Sequence, residues 1–370
     1  MKKKICLLLV LILTICMVTG CSGGKDQNAD GSSSAESASV EKKTVELTDQ
    51  NGRKVTVEYP VERIACMQHH SLDILTQLGA QDKIVCTEDK WMSDLGSYMT
   101  DVFPGIEELP TTGTLSDPNV EAIAALNPDV VILAAQCNES AIAQFEKLGI
   151  PAIVVSLRGE GKQAEAQNPN LSDADSAYTE GLQWAVETLG MLSGKEEKAE
   201  ELWNFAMESR DYVEEQLSGV ADSERVKVFI ANENNQTYGD DKYVGCMLLR
   251  AGGINVAAED ISGYKEYSLE QLYNWDPEII IVQDRYPEVY EQITTDEKYK
   301  ELTAVKNGKV ILAPYWTKPF GNPDTDSVAL GELWMAHQFY PDKISADYVE
   351  ERAREFYSTF YGVDFTGSVE

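Results

Sequence analysis

From Thr44 onward, short apolar runs alternate with stretches whose apolar residues recur every three or four positions. Thr44–Val57 alternates apolar and polar residues around Asp49-Gln50-Asn51-Gly52, and Asn-Gly suits the positive φ angles of a tight turn, so a β-hairpin is expected. Arg63–Met67, Lys83–Thr87, Asp129–Ala135 and Pro151–Ser156 read as strands, separated by helical spacing at Ser71–Leu78, Asn119–Leu126 and Glu139–Leu148. A second set follows, with strands at Val226–Ala231, Glu278–Val282 and Lys309–Ala313 and helices near Tyr243–Ala251, Leu269–Trp275 and Asp326–Phe339. That order predicts mainly parallel sheets covered by helices on both faces.

The two sets repeat one another. Val120-Glu121-Ala122-Ile123, four residues, then Pro128-Asp129-Val130-Val131-Ile132 matches Leu269-Glu270-Gln271-Leu272, four residues, then Pro277-Glu278-Ile279-Ile280-Ile281, each Glu, Pro and acid displaced by 149 residues. Two similar α/β lobes follow. Between them, Ser193–Leu217 starts with Ser193 and Glu196 in capping-box spacing and puts Ala199, Leu202, Ala206, Val213 and Leu217 on one face. A helix of about 24 residues is a rod of roughly 36 Å, and as a single connector it would resist hinge motion.

The N-terminus reads differently. Lys2, Lys3 and Lys4 precede an apolar run of 14 residues, Ile5–Val18, too short to span a bilayer and typical of a signal peptide. Val18-Thr19-Gly20-Cys21 resembles a bacterial lipobox, whose Cys is acylated and becomes the mature N-terminus; a plain signal peptide with a chance Cys is the alternative. Ser22–Lys43, rich in Ser, Gly, Ala and charge and without aromatic residues, reads as a flexible tether. Beyond it Cys66, Cys86, Cys137 and Cys246 remain, and no spacing requires a disulfide.

Composition narrows the function. With 62 acidic against 31 basic residues the net charge is −31, which repels nucleic acid, and three His without a C-x-x-C pair give no zinc framework. Ligands of open parallel sheets bind beyond the carboxyl ends of the strands. Those ends carry His69, His70, Trp91 and Arg158 in the first lobe and Tyr238, Arg285, Tyr286, Trp316 and Lys318 in the second. Isolated cations beside aromatic rings point to an anionic, partly flat or apolar ligand, with ordinary loop residues as the alternative. His69 and His70, near Cys66, Cys86 and Cys137, are weak candidates for direct metal contact. Two enzyme patterns look like decoys: Gly20-Cys21-Ser22-Gly23-Gly24 straddles the expected cleavage site, and Gly159–Ala164 is followed by a polar stretch broken by Pro169 where a dinucleotide fingerprint needs an apolar helix.

Asp49–Val55, Glu62-Arg63-Ile64-Ala65, Leu78-Gly79-Ala80, Pro118–Glu121, Asn127–Val131, Ala251–Val256 and Phe360-Tyr361-Gly362 together resemble the substrate-binding lipoproteins of ABC importers for iron chelates, haem and cobalamin, from about Thr44 to Phe365. The resemblance implies a non-enzyme without cofactor: two Rossmann-like lobes bridged by one long rigid helix, with a signal peptide at 1–20, tether at 21–43, lobes at 44–192 and 219–370, and the bridging helix at 193–218. It implies a monomer, lipid-anchored through Cys21 on the outer face of the cell membrane or in a periplasm. Such a protein would capture a ferric siderophore or related metal chelate in the cleft and deliver it to an ABC permease and its ATPase. Haem, a corrinoid and a bare oxyanion such as molybdate stay open as cargo. Glu121 and Glu270 match the glutamates that dock the family onto permease arginines.

Overall fold

The computed structural model describes residues 42–161 and 168–369; the signal peptide, Cys21, nearly all of the tether and Lys162–Ala164 lie outside them. The hairpin is β1 (Lys43–Thr48) and β2 (Lys54–Tyr59). The first lobe continues with β3 (Ile64–Met67), α1 (His69–Gln77), β4 (Ile84–Thr87), α2 (Trp91–Leu95), α3 (Met99–Val102), α4 (Val120–Ala125), β5 (Val130–Ala134), α5 (Glu139–Lys147) and β6 (Ala152–Val155). Two long helices follow, α6 (Ala174–Ser193) and α7 (Glu196–Leu217). The second lobe holds β7 (Val226–Ala231), β8 (Gln236–Tyr238), α8 (Tyr243–Arg250), β9 (Gly253–Asn255), β10 (Tyr264–Glu266), α9 (Leu269–Trp275), β11 (Ile279–Val282), α10 (Pro287–Thr295), α11 (Thr303–Lys306), β12 (Val310–Leu312), α12 (Glu332–Phe339) and α13 (Ala346–Phe356).

Each lobe is built on a four-stranded parallel sheet, ordered β4-β3-β5-β6 in the first and β12-β11-β7-β9 in the second. Strand alternation sorts the side chains into layers. Ala65, Met67, Val131 and Leu133 face α4 and α5, while Phe229, Ala231, Ile280 and Val282 face α9, α10 and α11. The opposite faces, Ile64, Cys66, Val130 and Ile132 in one sheet and Val228, Ile230, Ile279 and Ile281 in the other, join a single apolar core with α1, α6, α7, α8, α12 and α13.

The 149-residue repeat has a backbone basis. Helices α4 and α9 are capped by Asn119 and Ser268 and followed by left-handed residues, Asn127 (φ 49°) and Asp276 (φ 39°), at the same offset. The acid after each Pro then secures the start of the neighbouring strand: Asp129 Oδ2 accepts from Arg63 N at 2.9 Å, and Glu278 Oε2 from Lys227 N at 2.9 Å.

Three local expectations change. The hairpin turn is a five-residue loop rather than a tight Asn-Gly turn, because Asp49 Oδ1 accepts from Asn51 N and Arg53 N while Oδ2 accepts from Val154 N, tying the loop to β6. The inter-lobe connection contains α6 as well as the long helix expected at 193–217. Ser193 ends α6, with its hydroxyl donating to Leu189 O at 2.6 Å, so it does not cap α7, which starts at Glu196 after left-handed Gly194. Gly181 and Gly190 obscure α6 in the sequence, since Gly is a poor helix former; in the fold they admit close neighbours, the backbone of Arg158 and the side chain of Ala199.

The lobes are also joined by buried charge. Lys318 Nζ is ion-paired with Asp73 of α1 and lies 2.5 Å from Asp326, all three side chains being 0% exposed. Tyr98 and Tyr361 hydroxyls lie 3.1 and 2.8 Å from Asp73 Oδ1, and Gln77 Nε2 donates to the Tyr361 hydroxyl at 2.9 Å. Burial pushes the Asp326 carboxyl up to about 8, against the attraction of Lys318, which Asp326 shares with Asp73. Burial would lower the Lys318 ammonium, but Asp326 and Asp73 outweigh it and hold it well above the usual range.

Two predictions follow from this packing. A methyl group at Gly181 would overlap the Arg158 backbone, so Gly181→Ala is expected to cost about 1–3 kcal/mol in denaturant unfolding. Because folded Asp326 keeps a proton that the unfolded chain, with a carboxyl near 3.9, releases, its contribution to stability is present below about pH 4 and lost as pH rises towards 8. Melting curves across that window should show a shallower fall with rising pH for Asp326→Asn than for the unmodified chain; parallel profiles would refute the shared-ammonium assignment.

Candidate functional site

The carboxyl ends of β3, β5 and β6 converge on a cavity of about 20 Å³ lined by Gln68, His69, His70, Gln136, Ser156 and Arg158 from the first lobe and closed by Asn322 from the second. Its position follows from the parallel sheet, whose strand ends open on one side. The first turn of α1 supplies Gln68, His69 and His70, and Gln68 Oε1 accepts from Ser71 N as the helix cap. Helix α1 therefore presents its positive end to the cavity. The β6 end is fixed by the hairpin loop: Gln50 Oε1 accepts from Ser156 N at 2.7 Å and from Leu157 N at 2.8 Å, and Gln50 Nε2 donates to Gly181 O.

Positive charge gathers here inside an acidic protein. Arg158 is 2% exposed and Lys242, the residue before α8, is 4% exposed. Burial, and after it the neighbouring Arg158 guanidinium, lower the Lys242 ammonium to about 8 against the opposing pull of Asp241. Gly321 packs on the Lys242 side chain and so brings Asn322 to the cavity. Burial also drives His69 well below the usual imidazole range, with His70, Arg285 and Lys318 adding to it, so His69 is neutral. The two rings lie 4.3 Å apart, and His70 Nδ1 is 2.9 Å from Asp324 Oδ2.

Of the nine cleft residues expected from the sequence, His69, His70 and Arg158 meet at this cavity. Tyr238, Arg285 and Tyr286 form a separate cluster: the Arg285 guanidinium lies 3.8 Å from the Phe320 ring and donates to Asp94 O in the first lobe at 3.3 Å, and Tyr238 stacks on Tyr264 at 4.6 Å. The other three are placed otherwise than expected. Trp91 is buried in the shared core, Trp316 is packed edge-on against Phe365 at 5.4 Å, and Lys318 is consumed by its two carboxylates, leaving no charge for a cleft ligand. The sequence reading missed Lys242, which stands among acids in Gly239-Asp240-Asp241-Lys242, and Asn322 in the Gly321-Asn322-Pro323 turn.

A larger groove, about 580 Å³, lies along α6, α7 and α8, beside the amino ends of β7 and β9 rather than the carboxyl ends. Its Arg210 and Arg250 are already paired with buried Glu332 at 2.7 and 3.0 Å, so they add no free charge for a ligand. Glu121 and Glu270 both sit exposed in the first turns of α4 and α9, at equivalent places in the two lobes. Among the described residues no helix is long and apolar enough to cross a membrane.

Comparison with known proteins agrees with this architecture. The chain is 36% identical over 320 residues to the molybdate-binding protein MolA of Haemophilus influenzae, covering 86% of this chain and 91% of that one. It is 25% identical to the Fe(3+)-citrate-binding protein YfmC of Bacillus subtilis, over 89% and 95% of the two chains. The solved structure of MolA bound to molybdate superposes with a TM-score of 0.83 at 35% identity, covering 88% of this chain and all of that one. With the sequence pattern of the periplasmic binding proteins matching residues 64–315 and the two-sheet fold to match, the chain belongs to the periplasmic binding protein family.

Proposed function

We propose that this protein is the solute-binding component of an ABC importer and that its cargo is a small tetrahedral oxyanion of the molybdate class, held at the cavity between Arg158 and Asn322. The observation that carries this reading is the size and charge of the cavity together. About 20 Å³ beside two buried cations suits an ion of a few atoms, whereas drug-sized ligands occupy pockets of roughly 300–1,000 Å³. A ferric chelate, the cargo that the sequence reading put first, lies in that larger class, as do its alternatives haem and a corrinoid. The likeness to MolA, whose solved structure holds molybdate, supports the same choice.

A net charge of −31 does not oppose anion capture at this place. Charges on the surface are screened within about 8–10 Å at physiological salt, while the guanidinium of Arg158 acts at contact distance in a poorly solvated site. The positive end of α1 adds to it. Export and anchoring through Cys21, and docking of exposed Glu121 and Glu270 onto permease arginines, complete the proposal; the equivalence of the two glutamates supports a two-point contact with a two-fold partner.

Calorimetric titration with molybdate tests the reading. One ion per chain is expected to bind, Arg158→Gln to weaken it by about 10- to 100-fold through loss of charged hydrogen bonds, and ferric citrate not to compete. Failure of molybdate to bind, or displacement by ferric citrate, would overturn it. For the docking surface, replacing Glu121 and Glu270 together by Ala should leave molybdate affinity within about twofold and abolish most permease-stimulated ATP hydrolysis, since rim charges act on association rather than on a distant cavity. Equal loss of molybdate affinity in that double variant would remove the assignment.

A further inference from the structure

Beside the cavity, three side chains from three elements point at one another. His69 opens α1, Glu88 follows β4, and Asp94 lies in α2. His69 Nδ1 is 3.5 Å from Asp94 Oδ2 and 3.9 Å from Glu88 Oε1, and the three donor atoms all lie within 4.8 Å of one another. Neutral imidazole and two carboxylates are a donor set that zinc and manganese accept. An ion at about 2.1 Å from each donor requires donor–donor separations of roughly 3.0–4.2 Å, which the two measured distances satisfy.

A second observation is independent of this spacing. The Glu88 side chain is 1% exposed and, among the described residues, its Oε1 has no hydrogen-bond partner, although Oε2 accepts from Lys90 N at 2.7 Å. His69 Nδ1 is also without a hydrogen-bond partner among the described residues. A buried carboxylate oxygen left unmatched is costly, and one aimed at an imidazole nitrogen and a second carboxylate is matched by a cation. The other acidic group, Asp73, Asp324 and Asp326, also holds buried oxygens without a hydrogen-bond partner among the described residues, but there the Lys318 ammonium already lies against Asp73 and Asp326 and the His70 ring against Asp324.

We propose that His69, Glu88 and Asp94 form a binding site for one divalent transition-metal ion of the zinc or manganese class, adjacent to the oxyanion cavity that His69 also lines. The ion would sit between the two carboxylates, and three protein donors leave a coordination position for water or another ligand.

The test uses tag-free full-length protein, stripped with a chelator and free of oxyanion, so that its outcome is separate from that of molybdate binding. Calorimetric titration with Zn²⁺, and with Mn²⁺ in parallel, should show one ion per chain for at least one of them. Glu88→Gln and Asp94→Asn should each weaken that binding at least tenfold while the metal-free melting temperature changes little. Co²⁺ added to the unmodified protein should give the visible absorption of a low-coordinate nitrogen–oxygen site, a readout that needs no variant. Absence of stoichiometric uptake of both Zn²⁺ and Mn²⁺, no such Co²⁺ spectrum, or wild-type affinity in both variants would each overturn the proposal.

Discussion

An ammonium held without solvent between two aspartate side chains, of which Asp326 keeps its proton, is the contact on which the arrangement of the two lobes depends. Lys318 reaches from the segment after β12 to Asp73 on α1, and Asp326 closes the pair from the helical turn that runs into α12. Removing the ammonium or its charged partner from such a site leaves an uncompensated buried charge, at a cost of about 3–5 kcal/mol. The hydroxyls of Tyr98 and Tyr361 lie against Asp73 Oδ1 and bring the C-terminal turn onto α1. Together with the apolar core that both sheets share, this network opposes opening of the lobes.

The cavity inherits its character from that constraint. Once Lys318 is fixed, the chain from Pro319 to Asn322 is placed by Gln283, which donates to Pro319 O at 2.6 Å, and by the packing of Gly321 on Tyr238 and Lys242. Asn322 is thereby set against the strand ends of the first lobe. Arg285, stacked on Phe320 and bonded to Asp94 O, adds a second tie between lobes. What remains is a small space with buried Arg158 in its lining and Lys242 beside Arg158, the geometry on which the proposed choice of cargo by size and charge rests.

Much of this fold is legible from periodicity alone, because buried parallel strands must be apolar runs and their covering helices must repeat every three to four residues. The 149-residue repeat was visible as Pro and acid, and its cause, an acid securing the next strand's first N–H, is visible only in the fold. Helix α6 escaped notice because its glycines serve close approach rather than helix propensity. At the site, strand-end logic located His69, His70 and Arg158 but could not tell which neighbours the fold gives to each cation. Lys318 and Lys242 look alike in sequence; tertiary contacts commit the first to Asp73 and Asp326 and bring the second beside Arg158. Aromatic residues beside cations near strand ends suggested an anionic, partly flat or apolar ligand, yet Trp316 packs in the core against Phe365.

The central claim is that a small oxyanion sits in the closed inter-lobe cavity. The most direct measurement is a crystal structure of the protein with molybdate, with the metal located by its anomalous scattering. The account predicts one molybdenum peak within hydrogen-bonding reach of Arg158, between the ends of β5 and β6 and Asn322, with the Lys318–Asp73 pair intact. A peak elsewhere, or no peak at saturating molybdate, would contradict it.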